Sequence, residues 1–170
     1  MHILETERLR LRELTAADAP FMLKLLNDPG WLEFIGDRGV RTIAQTEAYF
    51  EAGPIKSYRD HSFGLWLVKR KEDQAPIGIC GIVNRDSLPH PDIGFAFLEQ
   101  YCGRGYAYES AAATLAYAKS ALKMPRVLAI TLPANQRSAK LLQKLGMTFE
   151  KLMVMPEDAS ELMVFGIDFG

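Results

Sequence analysis

A chain of 170 residues with 20 Lys and Arg against 21 Asp and Glu carries a formal net charge of −1, which excludes a broad basic field for gripping a nucleic-acid backbone. An apolar share of 48% beside a charged share of 24% fits one soluble domain, over residues 1–170, with a sizeable core. No run approaches the ~20 apolar residues that span a bilayer, and Cys80 and Cys102 supply neither a disulfide framework nor a metal-binding thiolate cluster.

The opening MHILETERLRLREL interleaves charged and apolar groups and lacks the apolar h-region of a secretory signal, so a cytoplasmic protein is expected. Leu9 and Leu11 alternate with Arg8, Arg10 and Arg12, the two-residue period of a strand with one wet face. Thr15 and Asp18 form a capping pair for a helix carrying Phe21, Leu25 and Leu26. Asn27-Asp28-Pro29-Gly30 ends it. The segment WLEFIGDRGVRT follows, and Thr42 with Gln45 caps a helix to about Ala52.

Strands are predicted at 62–69 and 76–84 around the polar turn RKEDQA, and again at 92–98. A helix follows, with Ala107, Ala111, Leu115, Ala118 and Leu122 on one face. A strand at 127–132, a helix at 136–145 and strands near 149–155 and 161–168 complete the chain. Hairpins make antiparallel pairs dominate, whereas the strand–helix–strand unit at 92–132 demands a parallel crossover. The expected fold is α/β: a mixed, mostly antiparallel sheet with flanking helices.

Residues 98–109, LEQYCGRGYAYE, lie between an apolar strand and an alanine-rich helix. Gly103 and Gly105 let the backbone turn and approach a ligand closely, and the first free N–H groups of the helix suit a diphosphate. Arg104 adds charge there or points outward. Spacing alone also fits an ordinary turn. Neither GxGxxG nor GxxxxGK is present, so the site differs from the usual nucleotide cradles.

The string Gln100-Tyr101-Cys102-Gly103-Arg104-Gly105, followed by Tyr106-Ala107, resembles the Q/R-x-x-G-x-G/A motif of the GNAT superfamily of N-acetyltransferases. Asn135-Gln136-Arg137-Ser138, leading to Leu141, Leu142, Lys144, Leu145 and Gly146, is similar to that superfamily's next helix and its ending. The opening TERLRLREL resembles the branch that modifies ribosomal-protein N-termini. The resemblance implies that strand 92–98 splays from its parallel neighbour 127–132. The pantetheine arm of acetyl-coenzyme A then lies in the gap, beside Phe97 and Leu98, with Gln100, Gly103, Arg104, Gly105, Tyr106 and Ala107 around the diphosphate.

The same resemblance puts Asn135 near the pantetheine and Ser138 near the cofactor sulfur, donating a hydrogen bond as the thiolate leaves; both residues also suit a plain helix cap. Lys140 or Lys144 either meets the cofactor's 3′-phosphate or stays solvated. Many relatives carry a tyrosine that protonates the thiolate where this chain has Leu142. The acceptor is expected to be an amine, of a peptide or protein N-terminus or of a small molecule, attacked directly without a metal. A non-catalytic acyl-coenzyme A sensor is the other class of reading.

Only an unprotonated amine attacks a thioester. Removing the proton at pH 7 costs about 4.6 kcal/mol for a lysine-like amine and about 1 kcal/mol for an α-amine. Asp92, at the start of the strand that runs to the cofactor site, and His90, nearby, are the candidates for activating it, with surface pairing and loop placement as their plain alternatives. Glu33, Asp37 and Glu109 have weaker claims. The segment from Trp31 to Arg41 lines the acceptor entrance in relatives; here its aromatics also suit a core, and Arg38 or Arg41 either meets an acidic substrate or binds Asp37. Monomer and homodimer both fit the sequence.

Overall fold

The computed structural model describes residues 2–170; Met1, the first residue of the expected domain, lies outside the described residues. Strands β1 (His2–Glu5), β2 (Leu9–Glu13), β3 (Leu65–Arg70), β4 (Pro76–Val83), β5 (Asp92–Phe97), β6 (Arg126–Thr131), β7 (Thr148–Val154) and β8 (Glu161–Asp168) form one sheet. Its order is β1-β2-β3-β4-β5-β6-β8-β7. Every neighbouring pair is antiparallel except β5 and β6. This is the expected mixed, mostly antiparallel α/β architecture.

Among the described residues six α-helices flank the sheet: α1 (Ala19–Leu26), α2 (Pro29–Phe34), α3 (Ile43–Ala52), α4 (Pro54–His61), α5 (Tyr106–Ser120) and α6 (Gln136–Lys144). On one face, Ala111, Leu115 and Ala118 of α5 and Ala139 and Leu142 of α6 pack on Leu9, Leu11, Val68, Ile93 and Val127. On the other, Met22 and Leu25 of α1, Trp31 of α2 and Phe50 of α3 pack on Leu67 and Ile79. Strand alternation sorts β5 between them. Ile93, Phe95 and Phe97 join the α5 side, and Ala96 and Leu98 join the α1–α3 side.

The predicted strands and helices fall within a few residues of the observed ones. Three elements were not read from the sequence. Pro29-Gly30 ends α1 but also opens α2: Asp28 caps it by accepting from the Gly30 amide at 3.3 Å, and proline needs no donor at a first helical position. α4 likewise starts on a proline, Pro54, and closes at Ser62 in the left-handed region, φ 65°. β1 is four residues long and exists by pairing with β2. The first helix begins with a 3-10 turn, Ala16–Asp18, in which the Thr15 amide donates to Asp18 at 2.8 Å.

Candidate active site

β5 and β6 touch at only one register position, Asp92 opposite Leu128, closed by a hydrogen bond from the Leu128 amide to the Pro91 carbonyl of 3.0 Å. Beyond it the strands part. β4 holds β5 along its other edge from Asp92 to Phe97, and β8 holds β6 from Arg126 to Thr131. The gap therefore lies between two well-supported strands whose facing edges carry unspent backbone groups.

The register decides which groups those are. The Leu98 amide donates to the Ile77 carbonyl at 3.0 Å and the Leu98 carbonyl accepts from Tyr101 at 2.9 Å, so Leu98 is committed internally. Phe97 faces Gly78 in β4 at a position where neighbours do not exchange hydrogen bonds, and by alternation its N–H and C=O point into the gap. Of the two residues expected to pair with an extended ligand, Phe97 keeps a free amide and a carbonyl met only by a long contact from Cys102 Sγ at 3.9 Å, whereas Leu98 is fully engaged.

At the mouth of the gap the chain makes a 3-10 turn, Glu99–Tyr101, and then reverses through Gly103 (φ 79°) and Gly105 (φ 84°) into α5. Both glycines occupy the left-handed region, where a side chain is strained. A Cβ on Gly103 would meet nothing within 4 Å, so its surroundings are open. Gly105 caps α5 with no side chain, and the first bond closing the helix runs from the Glu109 amide to the Gly105 carbonyl at 3.0 Å. The amides of Tyr106, Ala107 and Tyr108 precede that bond and have no partner one turn back. Gln100, Arg104 and both glycines are exposed, Ala107 is half-buried, and Tyr106 is buried in the core.

A clamp from the other end of the chain fixes this turn. Glu109 accepts from the Arg8 amide at 2.9 Å, from Arg8 Nε at 2.7 Å and from Thr6 Oγ1 at 2.5 Å. Arg8 Nη1 donates to the Arg104 carbonyl at 3.1 Å, and its guanidinium lies 4.4 Å from the centre of the Tyr106 ring. Burial pushes the Glu109 carboxyl up, but the Thr6 and Arg8 hydrogen bonds outweigh it and hold the group below its ordinary value. Glu109 thus serves the turn.

On the opposite bank, Asn135 caps α6, its side chain accepting from the Ser138 amide at 3.2 Å. Both residues are half-buried, and the Ser138 hydroxyl makes no hydrogen bond among the described residues. Arg137, exposed on the first turn of α6, reaches far enough toward the glycine turn to act on the Cys102 thiol. Burial and Glu99 raise that thiol while Arg137 pulls it down. Lys144 lies 4.4 Å from the centre of the Tyr108 ring, and Lys140 is exposed. Leu142 is 1% exposed and faces the core.

Asp92 sits at the closed end of the gap, 1% exposed. Arg85 Nε donates to both of its oxygens, at 3.1 and 3.3 Å. Burial pushes the Asp92 carboxyl up, against the attraction of Arg85, to about 6. His90, two residues earlier in the loop between β4 and β5, is half-buried and has no hydrogen-bond partner among the described residues. The acceptor-entrance residues divide: Trp31 is core, and Arg41 binds Asp37 at 2.6 Å and Asn27 at 2.7 Å. Arg38 is exposed and acts electrostatically on Tyr49 and on Asp158. Arg8 and Arg137 entered the sequence reading only as parts of a strand pattern and a helix motif, and Arg85 did not enter it. Only Arg85 had a local signal, standing just past Val83, which pairs with Asp92 across the hairpin.

No group of three or more His, Cys, Asp and Glu arranged to hold a metal ion occurs among the described residues. No helix among them is long and apolar enough to cross a membrane.

Residues 8–148 match the acetyltransferase (GNAT) domain family. The uncharacterized protein YkkB of Bacillus subtilis is 28% identical over 151 residues, covering 87% of this chain and 86% of its own length. An acetyltransferase from Agrobacterium tumefaciens superposes with a TM-score of 0.80 at 27% identity, over 96% of this chain and 92% of that one. The ribosomal L7/L12 α-N-protein acetyltransferase RimL, at 16% identity, shares the fold with a TM-score of 0.85 over 99% and 98% of the two chains. The chain belongs to the GNAT acetyltransferase family.

Proposed function

We propose that this acetyltransferase takes acetyl-coenzyme A into the gap between β5 and β6 and transfers the acetyl group directly to an α-amine, in the first instance that of a peptide or protein N-terminus. The observation that carries the reading is the single contact between these two strands, with a left-handed glycine turn and a free helix end at the mouth of the gap. An extended polyamide arm supplies the hydrogen bonds of a missing strand, and Phe97 offers the backbone groups to receive it. The amides of Tyr106, Ala107 and Tyr108, with Gly103 and Gly105, receive the diphosphate, and Arg104 and Arg137 add charge at its edges.

Four residues of β5 span about 13 Å, so an arm entering past Phe97 delivers its thioester toward Ile93 and Asp92. As the amine attacks the carbonyl carbon, charge develops on the carbonyl oxygen and a backbone donor on the β5 edge stabilises it. The tetrahedral adduct collapses with loss of the coenzyme A thiolate, to which Ser138 donates a hydrogen bond, and Asn135 holds the loop that presents Ser138. A thiol of ordinary acidity leaves without a strong general acid.

An α-amine suits what stands at the closed end. Asp92 is buried and engaged by Arg85, so it acts on the acceptor through Arg85. His90, free of hydrogen bonds among the described residues, takes the proton, directly or through water. For an α-amine that step carries about 1 kcal/mol of deprotonation cost, against about 4.6 kcal/mol for a lysine-like amine. The likeness to the α-N-protein acetyltransferase supports the same acceptor class.

The test is thiol release from acetyl-coenzyme A over separate panels of peptides and small amines, with mass spectrometry locating the acetyl group. N-terminal acetylation of peptides is the expected result, with His90→Gln lowering kcat more than the KM for acetyl-coenzyme A. Transfer confined to side-chain or alkyl amines refutes the acceptor class. Tight cofactor binding with no transfer to any amine refutes catalysis and leaves an acyl-coenzyme A sensor.

A further inference from the structure

We infer that Arg85, anchored by Asp92, forms a carboxylate-binding subsite beside the transfer point, so that the preferred acceptors are amines that carry a carboxylate. This rests on the reading of the gap as the acetyl-transfer site and names the chemistry of the acceptor within it.

Arg85 meets Asp92 through Nε alone, which spans both carboxylate oxygens at 3.1 and 3.3 Å. The two terminal nitrogens of the guanidinium make no hydrogen bond among the described residues, and Asp92 is the one ion-pair partner of Arg85 among them. The Arg85 side chain is 37% exposed while that of Asp92 is 1% exposed. One edge of the guanidinium is therefore fixed from below and the other, a parallel pair of N–H donors matched to a carboxylate, faces outward. The geometry keeps both donors in reserve.

The place is right for an acceptor. Asp92 is the first residue of β5, at the one position where β5 and β6 touch, where an arm threaded from the glycine turn ends. By alternation Asp92 shares a face with Ala96 and Leu98, the face covered by α1 to α3, on which Tyr49 also packs. Arg38 and Arg85 both act on the half-buried Tyr49 phenol: burial raises it, and the two cations pull against that rise. Arg38, on the α2–α3 loop, also acts on Asp158 in the β7–β8 turn, where the Asp158 carboxylate is engaged by Ser160 at 2.6 and 3.0 Å. Both cations therefore lie within electrostatic reach of the Tyr49 phenol.

Donor geometry selects the ligand class. Asp92 holds Arg85 through Nε, and the remaining pair of terminal N–H donors matches the two oxygens of a planar carboxylate. A carboxylate a few bonds from an amine is supplied by a free amino acid or by a peptide with an acidic residue near its N-terminus.

The experiment uses the full chain saturated with coenzyme A, titrated calorimetrically with alanyl-glutamate amide, free alanine and the neutral alanine amide, with acetyl transfer to each measured in parallel. A carboxylate-bearing probe is expected to bind at least about tenfold more tightly than the amide, and whichever of the two gains more identifies peptide or amino acid as the source. Arg85→Gln brings the ratio toward one, and Arg85→Lys retains part of it, an outcome that loss of fold would not produce. Equal binding of charged and neutral probes, no measurable binding of either charged probe, or a ratio unmoved by Arg85→Gln overturns the subsite. Preferential binding without transfer leaves the subsite standing and defeats the proposed activity. Transfer without charge preference does the reverse.

Discussion

Arg8 and Glu109, 101 residues apart, meet through two hydrogen bonds of 2.7 and 2.9 Å and tie the start of β2 to the first turn of α5. The same guanidinium reaches the Arg104 carbonyl and stacks on Tyr106. The pair is partly exposed, so its value for global stability is modest, about 1 kcal/mol. Its position matters more, because it fixes the backbone whose amides are proposed to meet the diphosphate. Arg8→Met or Glu109→Gln is expected to raise the KM for acetyl-coenzyme A about tenfold while kcat falls less, with melting temperature lowered by only a few degrees. A fall in kcat with KM unmoved would show that the clamp does not set the cofactor site.

Gly103 and Gly105 share a left-handed backbone but differ in surroundings. Alanine at either pays a conformational strain of about 1–2 kcal/mol. At Gly105 its Cβ would also lie 3.3 Å from Arg8 Nη2, while at Gly103 it would meet open space. Gly105→Ala is therefore expected to disturb the Arg8 clamp and lose more cofactor affinity than Gly103→Ala. Valine at Gly103 should weaken binding sharply in a protein that still folds. Coenzyme A titration of the three variants, with circular dichroism as the control, decides this, and wild-type affinity in folded Gly103→Val would remove the turn from the site.

Much of this was legible in the sequence because it is local. The alternation of Leu9 and Leu11 became two fully buried residues, and the α5 stripe of Ala111, Leu115 and Ala118 became a core face. The Thr42–Gln45 capping pair is present, the Gln45 amide donating to Thr42 at 3.1 Å. The glycine turn announced itself through residue type and place. What stayed hidden depends on chain segments meeting in space. Nothing near Glu109 in sequence points to Arg8, and nothing near Cys102 points to Arg137. Leu98 and Phe97 could be told apart only once the register of β5 against β4 was known.

The sequence resemblance matches Leu142 to a thiolate-protonating tyrosine, and placing a phenol there tests whether the fold has room for it. Leu142 is 1% exposed and packed among core residues, and its carbonyl accepts from the Met147 amide at 3.0 Å. A larger side chain in such a place strains its neighbours by about 1–3 kcal/mol, and a buried phenol without a partner costs more. Leu142→Tyr is expected to lower stability by that amount and to leave kcat unimproved. A faster enzyme of undiminished stability would show that the side chain at this position turns to the gap.

The buried carboxyl of Asp92 gives a pH signature whose sign is the reverse of an ordinary ion-paired acid. Burial lifts it to about 6, above the ordinary 3.8, in spite of Arg85. Between those values the folded chain holds a proton that the unfolded chain has released. The stabilisation linked to that proton is fully present below the unfolded value and is lost as pH rises through about 6. The difference is on the order of 2–3 kcal/mol. Asp18 runs the other way. Burial raises it, but the Arg12 and Thr15 hydrogen bonds win and hold it low, so its contribution is lost as pH falls. Asp92→Asn should remove the first trend and spare the second. In urea unfolding from pH 4 to 7, the variant should therefore gain on the wild type as pH rises. A stability difference that stays constant across that range would mean that Asp92 titrates normally and that Arg85 compensates fully for its burial, leaving no strained carboxylate at the closed end of the gap.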